Sequence, residues 1–496
     1  MTCTSSAPPS SGRRGGAAAA ALLAATVGLV AAEPPAAAAA DAAGAVPGPD
    51  ETAAVPAAGR LHPHVGTAAG PGYALYLPSG YTPEHRWPVL YLFDSRRQGA
   101  GLAELFQPAA ERFGFVLASA LDSAGVEPTE HNLAIARAMW VDTHERLALD
   151  GRRAYAAGFS GMARFACTLE ITAPGTFAAV LALNGGFPVG HAPGEPPRFP
   201  VFATVGDADF NYYELLDVEE KLRAAGVPQR LELFSGSHQW PPADLLARAV
   251  GWLELQAMRE GRRPHEAALV ASLWEEELAR ARAAEARGGP LAAFRAHRAL
   301  VESFQGLRDT AAAERRLAAL AADPDLRTAQ RAHEQRLARD RRYLERAPAL
   351  LLGAGDDVAE LLAALDVPQL QARARGHAER EERLSAERVL YAVYIQTALY
   401  LPRRLGERGE HERALFYLAA AAAIEPEVPQ VRHRQAVAHA RLGRRREALR
   451  ALERAVELGW DAAEETLAEE AFAPLRDDPA FRALVTRMRQ APQQNP

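Results

Sequence analysis

The chain has 496 residues, 48% of them hydrophobic and 24% charged, with a formal net charge of −6. That length fits about three structural units of roughly 150 residues each, and the composition excludes wholesale disorder, collagen-like repeats and a multi-span membrane protein. No global basic field is present, so nucleic acid is not an expected partner. Cys3 and Cys167 are the only cysteines. Cys3 lies in a segment expected to be removed, so disulfides do not hold the fold, and a cysteine zinc site is excluded.

At the start, Arg13-Arg14 precede an uncharged run from Gly15 to Ala32. A basic start, a short apolar middle and small residues at the exit describe a secretory signal. Val30-Ala31-Ala32 before Glu33 fits its cleavage site, with Ala38-Ala39-Ala40 a second candidate. An uncleaved anchor is the alternative, because the run is near the lower length limit for a spanning helix. Residues 1–32 are therefore expected to be a signal peptide, and 33–60, rich in Ala, Pro and Gly, a disordered linker. The expected location is periplasmic or extracellular, with membrane contact only if the leader stays.

Residues 61–258 read as alternating strands and helices. Tyr73–Leu77, Pro88–Phe93, Phe113–Ala118, Arg153–Ala157, Phe177–Leu183, Pro200–Val205 and Arg230–Phe234 are apolar runs of strand length. Helical patterns follow, for instance over 132–149, 213–225 and 243–258. Such alternation implies a mostly parallel sheet flanked by helices, with ligands bound outside the carboxyl ends of the strands.

The residues with chemistry sit at those ends. Ser160, in Gly158-Phe159-Ser160-Gly161-Met162, follows a strand and opens a helix. The sharp turn lifts its hydroxyl above the sheet, and the Gly161 amide points where an oxyanion would form. Asp207 and Asp209 end a later strand, and His238 follows the last. A serine needs an imidazole to take its proton, and the imidazole needs a carboxylate to hold its tautomer. Asp209 suits that acid better, being further past the strand end, while Asp207 suits a turn cap. The second oxyanion donor is expected near Ser95 or Arg96, after the Pro88–Phe93 strand. His62, His64 and His131 precede the serine and fall outside this arrangement. Trp240 fits a pocket wall and a core position equally, and Tyr212-Tyr213-Glu214 fits the start of a helix.

Tyr73–Tyr81 (YALYLPSGY), Phe93-Asp94, Ala157–Ser160 (AGFS), Asp209–Tyr212 (DFNY) and Gly236–Pro242 (GSHQWPP) together resemble the α/β-hydrolase superfamily. The branch most resembled is the polyhydroxybutyrate depolymerase and feruloyl esterase-like group. The resemblance spans about Leu61 to Met258. It implies Ser160 as nucleophile, Asp209 as acid and His238 as base, with no cofactor and no metal. One departure stands out: the family has glycine where this chain has Met162. That residue is expected either to narrow the pocket or to mark lost activity.

From about Arg259 onward Ala, Leu, Glu and Arg dominate. Residues 267–287, 291–305, 310–322 and 328–346 read as amphipathic helices. Residues 259–395 are a helical region suited to degenerate repeats. In 396–490 a period emerges: Gly409 and Gly443, Ala414 and Ala448, Leu418 and Leu452, and Ala421 and Ala455 are each 34 apart. That is the tetratricopeptide period, so this half resembles a docking array. The chain is thus expected to be a secreted serine hydrolase for carboxylic esters, small or polymeric, with a helical repeat module for a protein partner. A non-catalytic scaffold with a degenerate hydrolase domain and a serine peptidase are the alternatives.

Overall fold

The computed structural model describes residues 55–95, 99–123, 129–188 and 198–490. The expected signal peptide, most of the linker and Arg96 lie outside the described residues. Between Leu337 and Ala338 the chain divides into two compact units.

The first unit is built on eight strands: β1 (Leu61–Val65), β2 (Tyr73–Tyr76), β3 (Trp87–Phe93), β4 (Val116–Ala120), β5 (Leu149–Phe159), β6 (Val180–Leu183), β7 (Val201–Gly206) and β8 (Gln229–Phe234). Their spatial order is β1-β2-β4-β3-β5-β6-β7-β8. β2 is antiparallel to both β1 and β4, and the remaining pairs are parallel. β6 and β7 are buried along their whole length, as strands covered on both faces must be. Helices α1 (Gly99–Phe113), α2 (Glu130–Arg146), α3 (Gly161–Thr172), α4 (Tyr212–Ala224) and α5 (Ala243–Arg259) flank the sheet. Phe115, Tyr155, Phe202, Trp252 and Leu253 form the centre of one large core. This is the mostly parallel sheet flanked by helices that the strand pattern implies.

Two details differ from expectation. β1 carries Pro63 between two histidines and shows no apolar alternation. It pairs only with β2 at the sheet edge, where a missing N–H does no harm. The fourth strand starts at Val116, not Phe113, because α1 continues to Phe113 and Gly114 turns the chain at φ 71°.

Nor does the unit end at Met258, where the hydrolase domain was expected to stop. Three more helices belong to it, α6 (Ala267–Arg287), α7 (Gly289–Phe304) and α8 (Ala311–Ala322). Leu255 and Met258 of α5 share a core with Leu273, Trp274, Leu300 and Phe304. Buried Arg230 on β8 pairs with Glu277 on α6 at 2.8 Å and with Glu232 at 2.6 Å. Periodicity marks which face of α6 is apolar, but not that the face closes on the α5 side of the sheet.

The second unit is helical. The unit boundary falls inside α9 (Pro324–Leu352), and α10 (Val358–Ala364), α11 (Val367–Gly376) and α12 (Arg380–Ile395) follow. A single π turn, Gln396–Tyr400, joins α12 to α13 (Leu401–Glu407). Gly409 and Gly443 both turn at positive φ, and helices α14 (His411–Ile424), α15 (Pro429–Arg441) and α16 (Arg445–Glu457) come next. Ala414, Leu418 and Ala421 of α14 are buried, as are Ala448, Leu452 and Ala455 of α16. Positions 34 apart therefore occupy equivalent places in their helices. Helices α17 (Ala463–Ala468) and α18 (Pro479–Gln490) flank a 3₁₀ turn, Glu470–Leu475. Among the described residues no helix is long and apolar enough to cross a membrane.

The buried pair makes stability depend on pH. Burial alone would raise the Glu277 carboxyl, but the Arg230 and Arg280 guanidiniums outweigh it and hold it down at about 2. A depressed carboxylate stabilises fully above its ordinary pKa of 4.5 and loses that contribution as pH falls toward 2. Glu277→Ala should lower the unfolding free energy by about 2–3 kcal/mol at neutral pH, because it takes one of two carboxylate partners from a buried guanidinium. Urea denaturation at pH 7 and pH 3 checks this: the gap between wild type and variant should shrink at the lower pH.

Candidate functional site

The site is assembled at the carboxyl ends of β5 to β8. Ser160 links β5 to α3 with φ 57° and ψ −120°, a conformation that L-residues rarely hold. Such strain costs about 1–3 kcal/mol and persists only where the surroundings enforce it. The Ser160 amide donates to the Leu183 carbonyl of β6 at 2.8 Å. A Cβ at Gly158 would collide with the Met162 carbonyl, and one at Gly185 with the Ser160 carbonyl. Both glycines are therefore required by close backbone approach. Met162 itself is fully buried, so its side chain does not stand in an open cleft.

Ser160, Asp209 and His238 come together as the sequence suggested. His238 Nε2 lies 2.8 Å from Ser160 Oγ, and His238 Nδ1 lies 2.9 Å from Asp209 Oδ2. A carboxylate only accepts, so Nδ1 carries the hydrogen and Nε2 is left to accept from the serine hydroxyl. Asp209 is completely buried, while the His238 side chain keeps 13% of its exposure. Asp207 serves the loop instead of the imidazole. Its Oδ1 accepts from the Gly236 amide at 3.1 Å and pins the segment that carries His238. Gly206 lets that loop come close, since a Cβ there would strike the Gly236 and Ser237 carbonyls.

Three residues not singled out in the sequence complete the arrangement. Asn184, just past β6 at φ 54°, donates from Nδ2 to Asp209 Oδ2 at 2.8 Å. Its own Oδ1 accepts from Thr204 Oγ1 at 3.0 Å. The Asn211 amide donates to Asp209 Oδ1 at 2.8 Å, and Asn211 Nδ2 donates to the Asn184 carbonyl at 2.7 Å. The carboxylate is thus held by donors at both oxygens. The available signal was positional: a polar residue directly after an apolar strand and before Gly185-Gly186.

The imidazole lies between two rings, with centroids 4.9 Å from Phe159 and 4.5 Å from Phe210. Trp240 stacks on Phe159 at 4.5 Å and packs against the main core, so it supports the site from below as well as walling it. Of the expected oxyanion donors, Gly161 opens α3, where first-turn amides have no intrahelical acceptor. Ser95 stands in the turn after β3, whose Phe93 is in register with Gly158 of β5. Arg96 lies outside the described residues. His62 bonds the Ala57 carbonyl and His131 the Asp122 carbonyl. Cys167 is buried, and burial pushes its thiol up to about 12, which leaves no reactive thiolate. Among the described residues no group of acidic, histidine or cysteine side chains could hold a metal ion.

No protein-family model matches the chain, and no curated protein matches it. Solved structures match part of it. A fluorophosphonate-binding serine hydrolase F of Staphylococcus aureus, FphF, is 14% identical over 40% of this chain and 98% of its own, with a TM-score of 0.34. A ferulic acid esterase is 15% identical over 39% of this chain and 96% of its own, with a TM-score of 0.34. The feruloyl esterase module from Clostridium thermocellum is 15% identical over 41% of this chain and 90% of its own, with a TM-score of 0.33. Likeness at this level says nothing of activity, which rests on the geometry above.

Gly185→Ala should press on the Ser160 carbonyl and lower the unfolding free energy by about 1–3 kcal/mol. Gly101→Ala, in α1 with open space around it, should be neutral or stabilising. Equal thermal midpoints for the two variants would show that the turn tolerates the added methyl.

Proposed function

We propose that this protein is a serine hydrolase acting on carboxylic esters. One observation carries the reading: a strained, partly buried Ser160 with its hydroxyl 2.8 Å from an imidazole that is itself bound to a buried carboxylate. In the proposed cycle His238 Nε2 takes the hydroxyl proton as Ser160 Oγ attacks the ester carbonyl. Asp209 holds the tautomer and stabilises the imidazolium. The Gly161 amide faces the oxyanion, with a second donor from the turn at Ser95. His238 returns the proton to the departing alcohol, then activates water to release the acid. No step needs a metal or an organic cofactor. The burial of Met162 supports the catalytic reading over a non-catalytic scaffold.

The helical half is proposed as a tetratricopeptide-like docking module for a protein partner, supported by the shared burial of positions 34 apart. The leader pattern supports secretion to the periplasm or beyond, and the N-terminal sequence of the mature protein tests it.

A fluorophosphonate probe should label wild type and not Ser160→Ala, and that variant should lose turnover of a short aryl ester while remaining folded. Half the rate surviving in the folded variant would remove Ser160 from its role.

Asp209→Asn should cost about 10⁴-fold in kcat by favouring the wrong imidazole tautomer. Asp207→Asn should cost far less, since it only loosens the loop of His238. Asn184→Ala should lower kcat about tenfold or more with little change in KM, because a donor to the buried carboxylate is lost. An order of effects led by Asp207 would exchange the roles of the two acids.

A further inference from the structure

The second unit, taken by itself, contains a cavity of about 520 Å³ between α9, α11 and α12. That volume lies within the range of small-molecule sites, roughly 300–1,000 Å³. Four guanidiniums line it, from Arg339, Arg342, Arg346 and Arg373, against two carboxylates, Asp340 and Asp366.

The arginines are not equivalent. Arg339 is held by Glu382 at 3.0 Å and by Ser385 Oγ at 2.8 Å. Arg346 pairs with Asp366 and lies 5.3 Å from the Tyr343 ring centroid. Asp340 accepts from Ser385 Oγ at 2.9 and 2.7 Å and also pairs with Arg339 at 3.3 Å. Arg342 and Arg373 have no acidic partner among the described residues. The Arg373 Nε is buried and lacks any hydrogen-bond partner, which is costly for a cationic donor. Of the remaining lining Gln369 is polar and exposed, Leu370 and Val389 are apolar, and the Tyr343 hydroxyl is turned to the Leu365 carbonyl.

We propose that this cavity binds an amphiphilic carboxylic acid, its head group taken by Arg373 and Arg342 and its apolar body laid on Leu370, Val389 and the Tyr343 ring. A guanidinium fork matches a carboxylate in two parallel hydrogen bonds, and an arriving anion relieves the repulsion among the gathered cations. An uncharged chain would leave the buried Nε unanswered, and a short acid would leave the apolar wall uncovered.

The test uses the full chain and isothermal titration with decanoate, decanol and acetate. Decanoate should bind saturably, and decanol and acetate at least tenfold more weakly. Arg373→Gln should weaken decanoate binding at least tenfold, Arg373→Lys should restore only part of it, and added salt should weaken it further. The hydrolase site could also hold an acid, so only the part of the binding that these substitutions remove counts as support. Should Arg373→Gln fail to fold, exposed Arg342→Gln serves in its place and should also weaken binding. Unchanged decanoate affinity in a folded variant, or decanol binding as tightly as decanoate, overturns the proposal. The outcome is independent of whether Ser160 is labelled.

Discussion

Everything at the site depends on how closely two backbones pass at the turn after β5. Ser160 sits at φ 57° only because its amide is tied to Leu183 and because no side chain on Gly158 or Gly185 pushes back. Relaxing that turn would swing the hydroxyl away from His238. The same close packing fixes where α3 begins, and so places the Gly161 amide. The expense of the strained residue is met by the surrounding sheet, whose parallel strands β5, β6 and β7 are locked in register.

From that turn the polar groups follow as a chain. Asp209 has no exposure at all, and a carboxylate so placed must be satisfied by donors. Asn184, the Asn211 amide and His238 supply them, one from each neighbouring strand end or loop. Asn184 adopts positive φ for this purpose, and Thr204 and Asn211 hold it there. Ser160 and Asn184 are thus two strained residues on adjacent strands, each fixing one end of the same hydrogen-bonded path.

The central strands and the three key side chains were legible in the sequence, for a physical reason. Buried parallel strands read as apolar runs, and the residues that do chemistry must follow them directly. Asn184 obeys that rule too, but an asparagine before two glycines reads equally well as an ordinary turn. β1 was hidden because an edge strand needs no apolar alternation. Met162 stands where the resembled pattern has glycine; in the structure Gly158 provides the room for the helix, and the methionine is buried. The 34-residue spacing puts buried alanines at matching places in α14 and α16.

The boundary of the first unit was not legible, and the reason lies in charge. Arg230 lies on β8, the last strand of the sheet. In the structure α6 and α7 cover it, with Glu277 and Ser303 as partners. Arg259 at the end of α5 likewise donates to the Glu302 and Ser303 carbonyls at 3.0 and 2.8 Å. A chain cut at Met258 would remove Arg259, take Glu277 and Ser303 away from Arg230, leaving it only Glu232, and expose Leu255 beside them. The helices after the last strand therefore belong to the same cooperative unit as the sheet, and the buried ion pairs specify which helices dock there while the apolar contacts of Trp274 and Phe304 supply the stabilisation.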